Sequence, residues 1–176
     1  LLKLEDAKKQ RLKAYLQQAL SKIIDLPPEQ LSPELRDKRR DFLFEQIQTD
    51  QQISGSALIY FLSQLASDDV FFKKIRDLFD HSPSPTPTAI LHLFISALAR
   101  RQLPQAIVKV LQDYTERPIQ IKAALDLLYR QQLWEALLLT GTHFLDQEIF
   151  NSWQQREIED WLLIAAEKSN DPARRS

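Results

Sequence analysis

Apolar residues recur at helical spacing along most of the chain. From Leu4 to Ile24 they follow the i, i+3, i+4, i+7 pattern of an amphipathic helix, and from Asp68 to Asp80 they form a stripe at helical spacing. Gly55 and Gly141 are the only glycines in the sequence, which leaves few residues suited to the tight turns of a β fold. We therefore expect an all-α protein without a sheet.

Several residues indicate where helices start and stop. Pro27 and Pro28 end the first helix, because proline breaks the helical hydrogen-bond pattern. Ser32 and Pro33 are an N-cap and a first helical residue. The segment 56–66 is apolar on every side, which predicts a central helix packed on more than one face.

The segment that follows is rich in phenylalanine. Its apolar stripe is formed by Phe71, Phe72, Ile75, Leu78 and Phe79. An aromatic stripe at helical spacing most often belongs to the core, so we expect these residues to pack in the core and not to form a ligand-binding site.

Residues 87–145 contain the pattern of one helical hairpin twice. Each copy has an apolar helix, a polar break and the start of a second helix, and the two copies lie 30 residues apart. The offset superposes Arg100 on Arg130, Gln102 on Gln132, Leu103 on Leu133 and Ala106 on Ala136. A period in the range of about 20 to 50 residues is typical of stacked helical repeats.

The hairpin resembles those of tetratricopeptide-type and clathrin-type α-solenoids. The resemblance rests on 87–145 and on an alanine in the first turn of each second helix, Ala106 and Ala136. It implies antiparallel helical hairpins stacked in a right-handed superhelix, with both alanines buried at equivalent helix–helix contacts, and the task of holding other proteins. The glycine and proline of the tetratricopeptide pattern are missing, so an irregular helical bundle is the alternative.

This reading divides the chain into N-terminal helices (1–80), a proline-rich spacer (81–87), hairpins with a terminal helix (88–168) and a polar tail (169–176). We expect the first and third segments to form one continuous domain. Gly141 is expected to end or kink the helix in which it lies.

The composition narrows the classes of function. Twenty-three basic and 24 acidic residues give a net charge of −1, which argues against a dedicated nucleic-acid or membrane-surface protein. Cysteine is absent from the sequence, so it has no disulfide and no thiol nucleophile, and a cytoplasmic or nuclear location is expected. The apolar stretches are shorter than the ~20 residues of a membrane span, so we expect no membrane insertion.

Residues suited to catalysis are scarce. His143, Asp146 and Glu148 are the one grouping that could bind a metal or share a proton. A metal site needs three convergent ligands, and this spacing is more typical of a solvated helix end. We therefore expect no cofactor, no metal and no small-molecule substrate, and a protein that is not an enzyme.

Three classes of function remain. The first is a scaffold that binds one or more proteins, among them a second copy of the chain. The second is a nucleic-acid-binding helical repeat that uses the basic face of the first helix together with Arg100, Arg101 and Arg130. These three arginines could equally contact a protein. The third is an enzyme with an unrecognised set of residues, which convergent acids in a deep pocket would favour.

The last helix offers candidate binding residues. Its inward stripe is formed by Ile158, Trp161, Leu162 and Ala165. Leu163 and Ile164 lie outside that stripe, where a solenoid normally carries a polar cap. We expect a partner, or chain beyond Ser176, to cover Leu163 and Ile164 next to Trp161.

The spacer holds three consecutive Ser/Thr-Pro pairs, which begin at Ser82, Ser84 and Thr86. One interpretation is a stiff polyproline connection and nothing more. The other is a phosphorylated segment, or a ligand for a proline-binding module, because each phosphate adds about −1.5 to −2 charges.

Overall fold

The computed structural model describes residues 3–11, 30–49 and 56–170. The regular secondary structure of these residues is entirely helical, without a strand among them. The expectation of an all-α protein is confirmed for this part of the chain. The remainder of the predicted first helix, from residue 12, and the stop at Pro27 and Pro28 lie outside the described residues.

The helices are numbered in chain order. They are α1 (3–11), α2 (Pro33–Thr49), α3 (Ser56–Gln64), α4 (Asp69–Asp80), α5 (Thr88–Arg100), α6 (Pro104–Leu111), α7 (Pro118–Arg130), α8 (Trp134–Leu145) and α9 (Ser152–Ser169). Short 3₁₀ turns extend α3 over Leu65–Ser67 and α6 over Gln112–Tyr114. The chain divides between Thr49 and Asp50 into two compact units, and each is described by itself.

In the first unit, α2 begins where the sequence predicts. Pro33 is its first residue, and the Ser32 Oγ accepts a hydrogen bond from the Leu35 N–H at 3.3 Å. The first turns of α2 carry an exposed ion pair between Glu34 and Lys38, 3.0 Å long. Such surface pairs contribute little to stability.

In the second unit, α3 packs on α5, α5 packs on α7, and α7 packs on α9. Arg100, at the end of α5, reaches Ser63 near the end of α3 at 2.9 Å and Gln131 just past α7 at 3.2 Å. In the same way, Lys122 and Glu157 join the first halves of α7 and α9 at 2.7 Å. Because these contacts join equivalent ends, the four helices form one parallel layer.

The intervening helices run back against this layer. α6 packs on α5 and α8 packs on α7, and α6 and α8 also pack on each other. α5 is the most enclosed helix, since Ala89 to Ala99 are buried apart from the half-buried His92. We expected 56–66 to be central, but Tyr60 of α3 is exposed; α5 takes that place because it touches α3, α4, α6 and α7.

The chain leaves α5 and α7 through the same turn. Gln102 and Gln132 have left-handed backbone conformations, with φ of 56° and 57°. The turns close through hydrogen bonds from Leu103 N to Leu98 O and from Leu133 N to Leu128 O, each 3.0 Å long. This is the Schellman arrangement, which satisfies carbonyls that a helix end otherwise leaves open. Both helices are 13 residues long, so the two hairpins correspond residue by residue up to the turn.

The two first-turn alanines differ in burial. Ala136 is buried, as expected, but Ala106 is only partly buried, so the expectation of equivalent contacts is wrong for Ala106. α8 has both α6 and α9 packed on it, whereas α4 packs chiefly on α5 and leaves the start of α6 less covered.

Gly141 does not end its helix, because α8 continues to Leu145. A Cβ built at this position would lie 2.7 Å from the Leu162 Cδ2. The glycine therefore permits the close approach of α9 to α8.

The aromatic stripe of α4 faces the core, as predicted. Phe71 and Ile75 are buried, and Phe79 stacks on Phe94 of α5 with ring centroids 4.4 Å apart. Phe72 and Leu78, at the margin of the stripe, are partly buried. The spacer 81–87 that follows α4 contains no regular helix.

Candidate functional site

The outer side of α9 is the first candidate surface. Ile158, Trp161 and Ala165 are buried against the rest of the second unit, as the predicted stripe requires. Leu163 points away from that stripe and is 68% exposed, while Ile164 beside it is partly buried. Leu163 thus lies where we expected it.

Trp161 does not belong to this outer surface. Its ring stacks on Tyr129 of α7 with centroids 5.5 Å apart, and the Lys122 Nζ lies 5.1 Å from its centroid. The residue therefore holds α9 against α7. Trp153, which we did not single out, is the exposed tryptophan at 68%, although the Lys122 Nζ also lies 5.1 Å from its ring centroid. Its helical angle, close to that of Ile164, was the signal that could have identified it.

Charged residues surround these apolar side chains. We define the α9 outward face as Trp153, Arg156, Glu159, Asp160, Leu163, Ile164 and Glu167, which share one side of the helix. It carries three carboxylates and one guanidinium, so its net charge is negative. This surface therefore combines apolar side chains with acidic residues around them.

Arg100 is engaged inside the second unit. Its Nε donates to the Ser63 Oγ, its second guanidinium nitrogen donates to the Gln131 Oε1, and its guanidinium carbon lies 5.0 Å from the Tyr60 ring centroid. Burial lowers the pKa of this guanidinium, and Tyr60 opposes the shift. An arginine remains charged in such a site. Arg100 thus links α3, α5 and the turn after α7.

Arg101 and Arg130 have different surroundings. Arg101 donates to the Ala66 carbonyl at 2.7 Å, pairs with Asp69 and lies over the Phe72 ring at 4.6 Å. Arg130 is 71% exposed and pairs with Asp126 of its own helix at 2.8 Å. The structure therefore does not bring the three arginines together as a free basic patch.

Among the grooves formed by the described residues of the second unit, two lie close to candidate residues. The corner groove, about 590 Å³ in volume, lies at the end of the parallel layer where α5 and α7 turn; its polar lining is formed by Gln64, Arg100, Gln102, Gln132, Glu135 and Lys168. The spacer groove, about 610 Å³, lies between the spacer, α5 and α6; Phe79, Ser84, Leu98, Lys109, Val110 and Arg117 contribute to its lining.

The histidines and acids of these surfaces do not converge. The His143 Nε2 lies 2.9 Å from the Gln147 Nε2, within a side-chain cluster that also includes Gln112. Asp146 and Glu148 are exposed. In the described part of the chain, no three His, Asp or Glu side chains are placed to hold a metal ion. The corner groove contains a single carboxylate, Glu135.

His92 occupies a different environment. It is largely enclosed on α5, and its Nε2 is buried and has no hydrogen-bond partner among the described residues. Burial lowers its pKa, and the carboxylate of Asp126 on α7 partly opposes the shift. The side chain therefore favours the neutral form.

Comparison with protein-family models, with curated proteins and with solved structures gives no match for this chain. Among the described helices, none has the length and apolar character needed to cross a bilayer. The indications of function therefore come from the surfaces of the second unit.

Proposed function

We propose that the second unit is a short α-solenoid-type stack that binds a partner protein and carries out no chemistry. The support is the parallel layer of α3, α5, α7 and α9, together with two hairpins that share one turn, marked by Gln102 and Gln132. In such stacks each hairpin buries its apolar face against its neighbours, and the exposed surfaces are free for recognition. The right-handed superhelix stays a prediction.

The binding surface that we propose is the α9 outward face. The observation that carries the proposal is the 68% exposure of Leu163 on α9, the last helix of the layer within the described part of the chain. An apolar side chain exposed on the outer side of a helix favours association with another surface. Trp153 and Ile164 extend this apolar character along the same side.

The acidic surround indicates the chemistry of the partner. Three carboxylates, Glu159, Asp160 and Glu167, flank Leu163. Their negative charge is only partly offset by the guanidinium of Arg156. We therefore propose as occupant an amphipathic helix of another protein, with apolar anchors that contact Leu163 and basic residues at its margins. Opposite charges speed the encounter and select the partner, while apolar anchors provide most of the affinity.

Nucleic-acid binding has weaker support. Arg100 and Arg101, which we considered as phosphate contacts, are engaged with Ser63, Gln131, Ala66 and Asp69. The α9 outward face carries net negative charge, which repels a phosphate backbone.

A photo-crosslinking experiment tests the proposal. The photoreactive amino acid p-benzoylphenylalanine replaces Arg156, which lies two helical turns before Leu163. The full chain that carries it is expressed in cells of the organism from which the protein comes. We expect an adduct whose crosslinked peptide is a helical segment of another protein with flanking lysines or arginines. Adding Leu163→Asp should abolish the adduct. Val70→Asp, at a position that is 70% exposed on α4, is the matched control and should leave it intact.

Helical content and the thermal midpoint confirm that both variants fold, since exposed substitutions usually change stability by about 0.5 kcal/mol or less. An adduct of twice the chain's mass would show that the partner is a second copy of the chain and not another protein. An adduct with RNA would support the nucleic-acid alternative. An adduct insensitive to Leu163→Asp, or no adduct at all, would overturn the proposal.

A further inference from the structure

The three Ser/Thr-Pro hydroxyls of the spacer have different surroundings. The Ser82 Oγ donates to the Phe79 carbonyl at 2.7 Å and lies 3.3 Å from the Thr86 Oγ1, and both residues are partly buried. Ser84 is exposed, and its hydroxyl makes no hydrogen bond within the described part of the chain. Of the three, Ser84 is therefore the one that a modifying enzyme can reach directly.

Ser84 lines the spacer groove together with two cations. Lys109 of α6 and Arg117, just before α7, are both exposed, and neither forms an ion pair with any described residue. Asp113 and Glu116 also line the groove, so its two cations and two carboxylates balance in charge. Neither carboxylate is close enough to Lys109 or Arg117 to form an ion pair. A new anion on the spacer would therefore meet cations without an existing ion pair.

We propose that Ser84 is a phosphorylation site and that its phosphate binds Lys109 and Arg117 across the spacer groove. In the transfer, the Ser84 Oγ forms a bond to the γ-phosphorus of ATP, and the bond from that phosphorus to the bridging oxygen breaks. ADP leaves, and the hydroxyl proton goes to the base of the kinase. Pro85 identifies the enzyme class as a proline-directed serine/threonine kinase.

The phosphate would fasten the spacer to α6. At neutral pH it carries about −1.5 to −2 charges, and its oxygens accept strong charge-assisted hydrogen bonds from lysine and arginine. The floor of the groove includes Leu98 and Val110, so the fastened spacer covers apolar surface as well. This inference does not depend on partner binding at the α9 outward face.

Two measurements test the inference on the full chain. First, the protein is incubated with ATP and a recombinant proline-directed kinase, and the phosphate is located by mass spectrometry. Ser32 also precedes a proline and is exposed, so only the spacer decides the test. We expect Ser84 to be the one phosphorylated residue of the spacer, and the Ser84→Ala variant to carry no phosphate in the spacer. Second, ³¹P NMR follows the titration of the phosphoserine. We expect its second pKa, ordinarily about 6, to be lowered by about half a unit because the nearby cations favour the dianion.

The cation variants decide whether the phosphate is bound as proposed. Lys109→Ala with Arg117→Ala should return the phosphoserine pKa to its ordinary value. Lys73→Ala with Arg76→Ala, which removes two exposed cations of α4 that do not line the groove, should leave the lowered pKa unchanged. Circular dichroism establishes that both double variants fold. Phosphate on Ser82 or Thr86 instead of Ser84, or no phosphate in the spacer, refutes the site; identical titrations of the original chain and the Lys109/Arg117 variant refute the pairing.

Discussion

Gln102 and Gln132 lie 30 residues apart and adopt the same left-handed backbone conformation, with φ of 56° and 57°. Each follows the end of a 13-residue helix in a turn that usually employs glycine, because the Cβ of other residues is crowded in this conformation. The same disfavoured residue type in the same conformation shows that α5–α6 and α7–α8 are joined by one kind of turn.

Glycine at either position should stabilise the protein. The left-handed conformation costs an L-residue about 1–2 kcal/mol, and replacing glutamine by glycine removes this strain. Glycine also loses more conformational entropy on folding, which offsets part of the stabilisation. We expect Gln102→Gly and Gln132→Gly each to raise the free energy of unfolding by about 0.5–1 kcal/mol, measured by urea denaturation. Lys74→Gly, at an exposed position in the middle of α4, is the control and should lower it by about 1 kcal/mol. A loss of stability at Gln102 or Gln132 would contradict this account.

Arg100 and Arg130 occupy corresponding positions on α5 and α7 but should differ in importance. Arg100→Ala removes the donors to Ser63, which is fully buried, and to Gln131, so the free energy of unfolding should fall by about 1.5–3 kcal/mol. Arg130→Ala removes an exposed pair and should change it by about 0.5 kcal/mol or less. Denaturant titration of the two variants measures the contrast. Equal effects would mean that the Arg100 contacts do not stabilise the layer.

The close approach at Gly141 predicts coupling with Leu162. Valine at 141 would overlap the Leu162 side chain, whose Cδ2 would lie 2.7 Å from the added Cβ, so we expect a loss of about 1–3 kcal/mol in the free energy of unfolding. Leu162→Ala should remove the overlap, and the double variant should lose less than the sum of the single losses. A double-mutant cycle by urea denaturation tests this. Additive effects would show that another neighbour of Gly141 limits the space.

His92 should make the protein less stable in mild acid. Burial lowers its pKa in the folded state, so below the ordinary histidine value of about 6.5 the unfolded chain binds more protons than the folded one. Stability is therefore highest above that value and declines as the pH falls towards the folded-state pKa, by at most about 1.4 kcal/mol per pH unit.

His92→Gln supplies the comparison, because all other titrating groups remain the same. We expect the difference in unfolding free energy between pH 7.5 and pH 5.5 to be smaller in this variant than in the original chain. An unchanged difference would show that His92 protonates freely in the folded state, despite its enclosure and although no described residue pairs with its Nε2.

The helices of this protein could be predicted from the sequence because their signals are local. Ser32 and Pro33 mark the start of α2, and the apolar spacing of α4 and α9 places Phe71 and Ile158 on buried faces. The 30-residue offset identified two hairpins whose corners are the same turn. Capping, periodicity and turn chemistry involve residues within a few positions of each other, so a sequence displays them directly.

Only the tertiary structure decided which side chains remain available for binding. Arg100 and Arg130 correspond in sequence, yet Arg100 lies between α3 and the turn after α7, while Arg130 remains exposed. Trp161 packs on Tyr129 whereas Trp153 remains largely exposed, and Gly141 permits α9 to approach rather than ending α8. These outcomes depend on which helices become neighbours in space, and that is determined by packing between segments far apart in the chain.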